Sequence, residues 1–124
     1  MAGKAVHFEI PVDNPVRAVA FYARAFDWTL NRFGSMEYWT TEAGSGEGIG
    51  GALVKRSEGA GVLTFYIQVD NIDAALSAVE SAGGKRITER MPIPSVGWSA
   101  MFTDTEGNTV GLFQPDSTVP FPHS

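Results

Sequence analysis

The chain has 124 residues, no cysteine, a formal charge of −5 and 44% hydrophobic residues. That length suits one compact domain, and the missing cysteine excludes disulfides, thiolate zinc sites and cysteine nucleophiles. Lys and Arg are scattered rather than striped, which argues against nucleic acid as a partner.

The first segment alternates. Val6, Phe8, Ile10 and Val12 fall on one face of a strand; His7, Glu9 and Pro11 fall on the other. Asn14-Pro15 is a helix start, with Asn as N-cap and Pro at the first helical position. Val16, Val19, Ala20 and Ala23 then recur at helical spacing. Three strand-like pieces follow, roughly Trp28–Phe33, Glu37–Thr41 and Ile49–Lys55. The loop "GSGEG" (Gly44–Gly48) precedes the last of them. It lacks the Lys-Ser/Thr of a phosphate loop and does not open a helix, so a nucleotide role is not expected. Gly50 and Gly51 would let either a ligand or a bulge approach the strand backbone. These pieces make a first module, about residues 5–56, and a linker runs around Ser57–Gly61.

The second module, about residues 62–115, repeats the pattern. Phe65 stands for Phe8, Ile67 for Ile10, and Val69-Asp70-Asn71 for Val12-Asp13-Asn14, all at one offset. Leu63, Phe65, Ile67 and Val69 share the apolar face; Thr64, Tyr66 and Gln68 share the other. Asn71 or Asp70 caps a helix in which Ile72, Ala75, Leu76 and Val79 recur, and Gly83-Gly84 ends it. Strands are expected at Arg86–Arg90, Trp98–Thr103 and Thr109–Gln114, with "DTEGN" (Asp104–Asn108) as a tight turn. The tail, residues 116–124, reads as an extended arm, with His123 in it a bystander. No apolar run reaches the roughly 18–20 residues of a membrane helix. Nor does Met1-Ala2-Gly3-Lys4-Ala5 carry a signal-peptide core. The expectation is a cytoplasmic protein with no membrane partner.

The pattern is therefore βαβββ twice, an α+β chain of duplicated modules. The phrases "VHFEIPVDNPVRAVAFYARAFDW", "FYIQVDNIDAALSAVESAGGK" and "FTDTEGNTVGLFQP" together resemble the vicinal oxygen chelate superfamily, over about Ala5 to Pro115. That superfamily includes glyoxalase-like lyases, extradiol dioxygenases and bleomycin-binding proteins. The resemblance implies two half-barrel sheets with helices outside and a ligand cleft between them, within one chain or across a homodimer. It puts His7, Glu9, Thr64, Tyr66 and Gln68 in the cleft, with Trp39, Gly51, Trp98 and Met101 as further ligand-binding candidates. The loop "MPIPSVG" before Trp98 resembles a lid.

Catalytic relatives hold a divalent metal through His and Glu on the first and last strands of each half. Here His7 matches a ligand position. Its counterpart in the second half is Thr64, the last-strand positions fall on Gly111 and on Gly51 or Ala52, and Glu47 is a spare carboxylate on the loop. One ligand of four is too few for a stable site, so the cofactor stays open between a divalent metal and, the favoured reading, none. The reading is a glyoxalase-like small-molecule-binding protein or enzyme with an incomplete metal site, with His7 and Glu9 at its centre. The alternatives are a divalent-metal-dependent lyase or dioxygenase using His7 and Glu9, or a non-catalytic protein that sequesters a drug or metabolite.

Overall fold

The structure, a computed structural model, describes residues 3–42, 48–58 and 61–121. Glu47, most of the Gly44–Gly48 loop and His123 lie outside the described residues. In chain order the elements are β1 (Lys4–Val12), α1 (Pro15–Phe26), β2 (Asn31–Arg32), β3 (Tyr38–Thr41) and β4 (Gly50–Lys55). Then come β5 (Thr64–Gln68), α2 (Ile72–Ser81), β6 (Lys85–Arg86), β7 (Met91–Ile93), β8 (Gly97–Thr103) and β9 (Thr109–Pro115). The chain is α+β and runs through βαβββ twice, the last module having its third-from-last strand broken in two. Val6–Phe65 form one compact unit; Met1–Ala5 and Tyr66–Ser124 form the other.

In the first unit the strand order is β2-β3-β4-β1. β1 and β4 are parallel, with His7 beside Gly50, Phe8 beside Gly51 and Glu9 beside Ala52. β4 and β3 are antiparallel, with Thr40 opposite Ala52 and Tyr38 opposite Val54. Asn14 caps α1 by accepting a hydrogen bond from the Arg17 N–H at 3.1 Å, and Pro15 fills the first turn. Asp27 ends the helix in a left-handed conformation, φ 59°.

The sheet-facing side of α1 differs from the spacing argument. Val16 is 81% exposed, whereas Val19 and Tyr22 are half-buried. The reason lies just past the helix. Trp28 stacks on Tyr22 at 5.0 Å and meets Phe8 at 5.6 Å, so an aromatic stack covers the apolar face of β1. Of the expected Trp28–Phe33 strand, Asn31 and Arg32 are in register with β3, and the Phe33 N–H closes the turn on the Tyr38 carbonyl at 2.8 Å. The Arg32 side chain ties the following turn, donating to the Met36 carbonyl at 2.9 Å and to Glu37 at 3.2 Å.

In the second unit the order is β5-β9-β8-β6, with β7 also on β8. Asn71 is the cap of α2, accepting from the Ala74 N–H at 2.9 Å. Ile72 and Leu76 are fully buried against Ala100, Phe102, Val110 and Leu112, with Ala75, Val79 and Trp98 packed around them. The expected strand Arg86–Arg90 stops at Arg86. Ile87 and Thr88 both donate their N–H to the Met101 carbonyl, and the Thr88 hydroxyl accepts the Met101 N–H at 3.0 Å. This is a bulge, two residues facing one. Beyond it the edge resumes as β7, so Met91–Ile93 of the expected lid loop are strand residues paired with β8. The tail also turns back. Asp116 N–H bonds the Val96 carbonyl, and Val119 is buried and accepts from the Ser95 N–H at 2.8 Å.

Candidate functional site

The polar side of β1 carries the chemistry. His7 and Glu9 lie two residues apart, so strand alternation puts both on one face. Glu9 is only 7% exposed. A buried carboxylate needs hydrogen-bond donors, and Tyr38 from β3 provides one: its hydroxyl lies 3.0 Å from Glu9 Oε2. The same hydroxyl lies 2.8 Å from His7 Nε2. The two rings lie in nearly parallel planes, 15° apart with centroids 6.4 Å apart, so the contact is head-on rather than face to face. Burial holds the His7 pKa below its ordinary value, and the ring is neutral near pH 7.

The same unit also holds a cavity, lined by none of these three residues. Thr40 neighbours Ala52, which neighbours Glu9. With Asn31, Asp27, Thr29, Thr41 and Glu42, Thr40 lines a cavity of about 410 Å³. Its walls are hydroxyls, an amide and two carboxylates.

The other expected residues are distributed as follows. Trp39 is on the opposite face from Tyr38, with the Arg32 guanidinium 5.2 Å from its ring centroid. Gly51 is also on that opposite face. A Cβ there would sit 2.4 Å from the Phe8 ring, so Phe8 rather than a ligand uses the space. In the second unit Tyr66 is beside Gly111, and Gly111 is opposite Met101, so those residues and Gln68 share a face. The Tyr66 ring occupies the place of a Gly111 Cβ. Trp98 is on the other face, in the core against α2, with its indole N–H on Asp116 at 3.2 Å and the Arg90 guanidinium 4.2 Å over its ring. Thr64 is buried. Tyr38 is the residue that sequence reasoning left off its site list. Only the pairing of β3 with β4 decides which of Tyr38 and Trp39 joins His7.

Among the described residues the donor set does not fit a divalent metal. Among the described residues no three His, Asp or Glu side chains converge. His7 and Glu9 aim at one hydroxyl instead, and the β4 residues on their face, Gly50, Ala52 and Val54, carry no ligating side-chain atom.

A profile of the Glyoxalase/Bleomycin resistance protein/Dioxygenase superfamily matches residues 4–112. The chain belongs to this superfamily. It is 31% identical over 117 residues to a "Glyoxylase-like domain-containing protein" of Didymella fabae, covering 86% of this chain and 90% of that one. It is 30% identical over 117 residues to "Putative glyoxylase CFP32" of Mycobacterium tuberculosis, covering 91% of this chain but 44% of the relative, so it spans about half of that protein's length. Among solved structures, a superfamily member from Vibrio splendidus superposes with a TM-score of 0.66 at 14% identity, covering 91% of this chain and 99% of the other. At that identity the likeness concerns the fold alone. The M. tuberculosis methylmalonyl-CoA epimerase shares the fold in the same sense, with a TM-score of 0.61 at 14% identity over 90% of this chain and 87% of the epimerase. Among the described residues no helix is long and apolar enough to cross a membrane.

Proposed function

We propose that this superfamily member binds a small molecule on the His7–Glu9–Tyr38 face and handles it by hydrogen bonding and proton transfer rather than through a divalent metal. The observation that carries the reading is the Tyr38 hydroxyl held between His7 and Glu9, at 2.8 and 3.0 Å. A neutral, part-buried imidazole next to an acidic partner is suited to general acid–base work. The polar cavity lined by Thr40 and Asn31, in the same unit, offers hydrogen-bonding groups to a hydroxylated or amide-bearing ligand. The reading covers both an enzyme and a sequestering protein, and turnover separates them.

Two measurements on protein purified without a His tag test it. Metal content after soaking in Zn²⁺, Ni²⁺, Mn²⁺ and Fe²⁺ is expected to stay far below one ion per chain. A ligand screen followed by Trp fluorescence is expected to yield binders whose affinity falls at least tenfold in His7→Ala. About one metal per chain, lost in His7→Ala, would instead establish the lyase or dioxygenase reading, with His7 and Glu9 as ligands.

The expected homodimer goes with this proposal. Phe21 and Phe26, in edge contact with ring centroids 6.3 Å apart, leave apolar surface of α1 exposed, which a second copy would cover. Light scattering at micromolar concentration would return the mass of one chain if this part is mistaken.

A further inference from the structure

Proton bookkeeping at Tyr38 goes one step beyond the reading of that face as the site. A phenol has one proton to give, and its oxygen accepts as well. The Tyr38 hydroxyl donates to Glu9 Oε2, 3.0 Å away, so its one proton is committed there. The Tyr38 oxygen then faces His7 Nε2 at 2.8 Å as an acceptor. An acceptor opposite a ring nitrogen requires that nitrogen to carry the hydrogen. We infer that Tyr38 is a positioning residue that locks neutral His7 as its Nε2–H tautomer and makes Nδ1 the nitrogen that takes up a proton.

The geometry supports the assignment from several sides. The ring planes are 15° apart, so the N–H can point along the imidazole plane toward the phenol oxygen, as a ring donor must. Glu9 is buried at the far end, where losing the Tyr38 hydroxyl would cost a carboxylate one of its donors. The lowered pKa of His7 keeps the ring in the neutral form, the form for which the tautomer matters. The same bookkeeping explains the failed metal fit. A metal on Nε2 would have to displace both the hydrogen and the Tyr38 contact. The reverse order is equally explicit: a protonated Glu9 would donate to Tyr38, Tyr38 would donate to Nε2, and His7 would be the Nδ1–H tautomer.

Long-range proton–nitrogen NMR of the ¹⁵N-labelled full chain reads the tautomer directly. Spectra are recorded at about pH 8, above the ordinary imidazole pKa of about 6.5. His7→Gln assigns the His7 signals against those of His123. The expected wild-type spectrum shows one protonated nitrogen, Nε2, and an unprotonated Nδ1. In Tyr38→Phe the single-tautomer pattern is expected to give way to a mixture, while backbone amide spectra stay those of the folded protein. An Nδ1–H pattern in the wild type would overturn the assignment. So would a folded Tyr38→Phe variant that keeps the pure Nε2–H pattern, because Tyr38 would then not be what fixes it. If Tyr38→Phe does not fold, the wild-type spectrum decides alone. No ligand is present in the experiment, so its failure is distinct from a failure of binding at this face.

Discussion

Phe8 and Gly51 are register partners on the parallel strands β1 and β4, and the Phe8 ring fills the space a Gly51 Cβ would need. A methyl group there would stand 2.4 Å from ring atoms that are themselves in contact with Trp28. Relief requires moving the ring, Trp28 and the Tyr22 stack together. Gly51→Ala is therefore expected to destabilise the chain by about 1–3 kcal/mol. A denaturant melt with an unchanged midpoint would show that the stack yields freely.

Tyr38 and Trp39 are adjacent in sequence and opposite in consequence. Tyr38 touches His7 and Glu9, while Trp39 stacks under Arg32 on the far face. For any ligand found in the fluorescence screen, Tyr38→Phe is expected to weaken binding about tenfold, the loss of one hydrogen bond of about 1–1.5 kcal/mol. Trp39→Phe is expected to leave affinity within twofold. The opposite ranking in a titration would move the site to the Trp39 face.

Acid should act on this fold in two stages. The folded His7 pKa is lowered by burial, so the unfolded chain binds the proton more readily. The stability this group contributes is complete above about pH 6.5 and is lost as pH falls through the folded value. The Asp104 carboxyl is lowered too, first by the Asn108 side chain and then by the Asn108 backbone N–H. Its contribution is complete above the ordinary carboxylate pKa of about 3.9 and is lost on further acidification. Thermal midpoints from about pH 7.5 down to pH 3 are expected to begin falling below about 6.5. In His7→Gln the upper part of that fall should flatten. A wild-type midpoint constant between about pH 7 and 5 would contradict the assignment.

The bulge on the β8 edge depends on one hydroxyl. Thr88 Oγ1 accepts the Met101 N–H at 3.0 Å where the backbone ladder skips. Thr88→Val keeps the shape and removes the acceptor, so a half-buried N–H loses its partner. The expected cost is about 1–2 kcal/mol, with Thr88→Ser recovering most of it. Equal stability of the Val and Ser variants would mean that another acceptor takes over.

Much of the fold could be read from local pattern. Alternation over Val6–Val12 and Leu63–Val69 marked β1 and β5, and Asn14 and Asn71 cap their helices as the spacing suggested. The misread parts depend on residues distant in sequence. Val16 shares the helical spacing of the apolar face yet is exposed, because spacing cannot see Trp28, which lies beyond the helix and takes the covering role. The strand from Arg86 ended early because of the Thr88 side chain, whose acceptor role appears only once β8 lies alongside. At the candidate site, alternation put His7 and Glu9 on one face of one strand, and the resemblance to the superfamily marked that face as the site. Tyr38 reaches them across 31 and 29 residues of chain, through a register that no local pattern encodes.

The ladder edges have a consequence for life in a crowded solution. β2 is two residues long and consists of Asn31 and an Arg32 whose side chain is spent on its own turn. In the second unit the outer strand β6 is Lys85-Arg86, the bulge follows, and β7 has Pro92 at its centre, a residue with no N–H to offer. A strand from another molecule would find short rows of donors and acceptors, interrupted by charge, kink and proline. The chain thus resists templated growth of its sheets, the first step toward fibrils, by the design of its outermost strands.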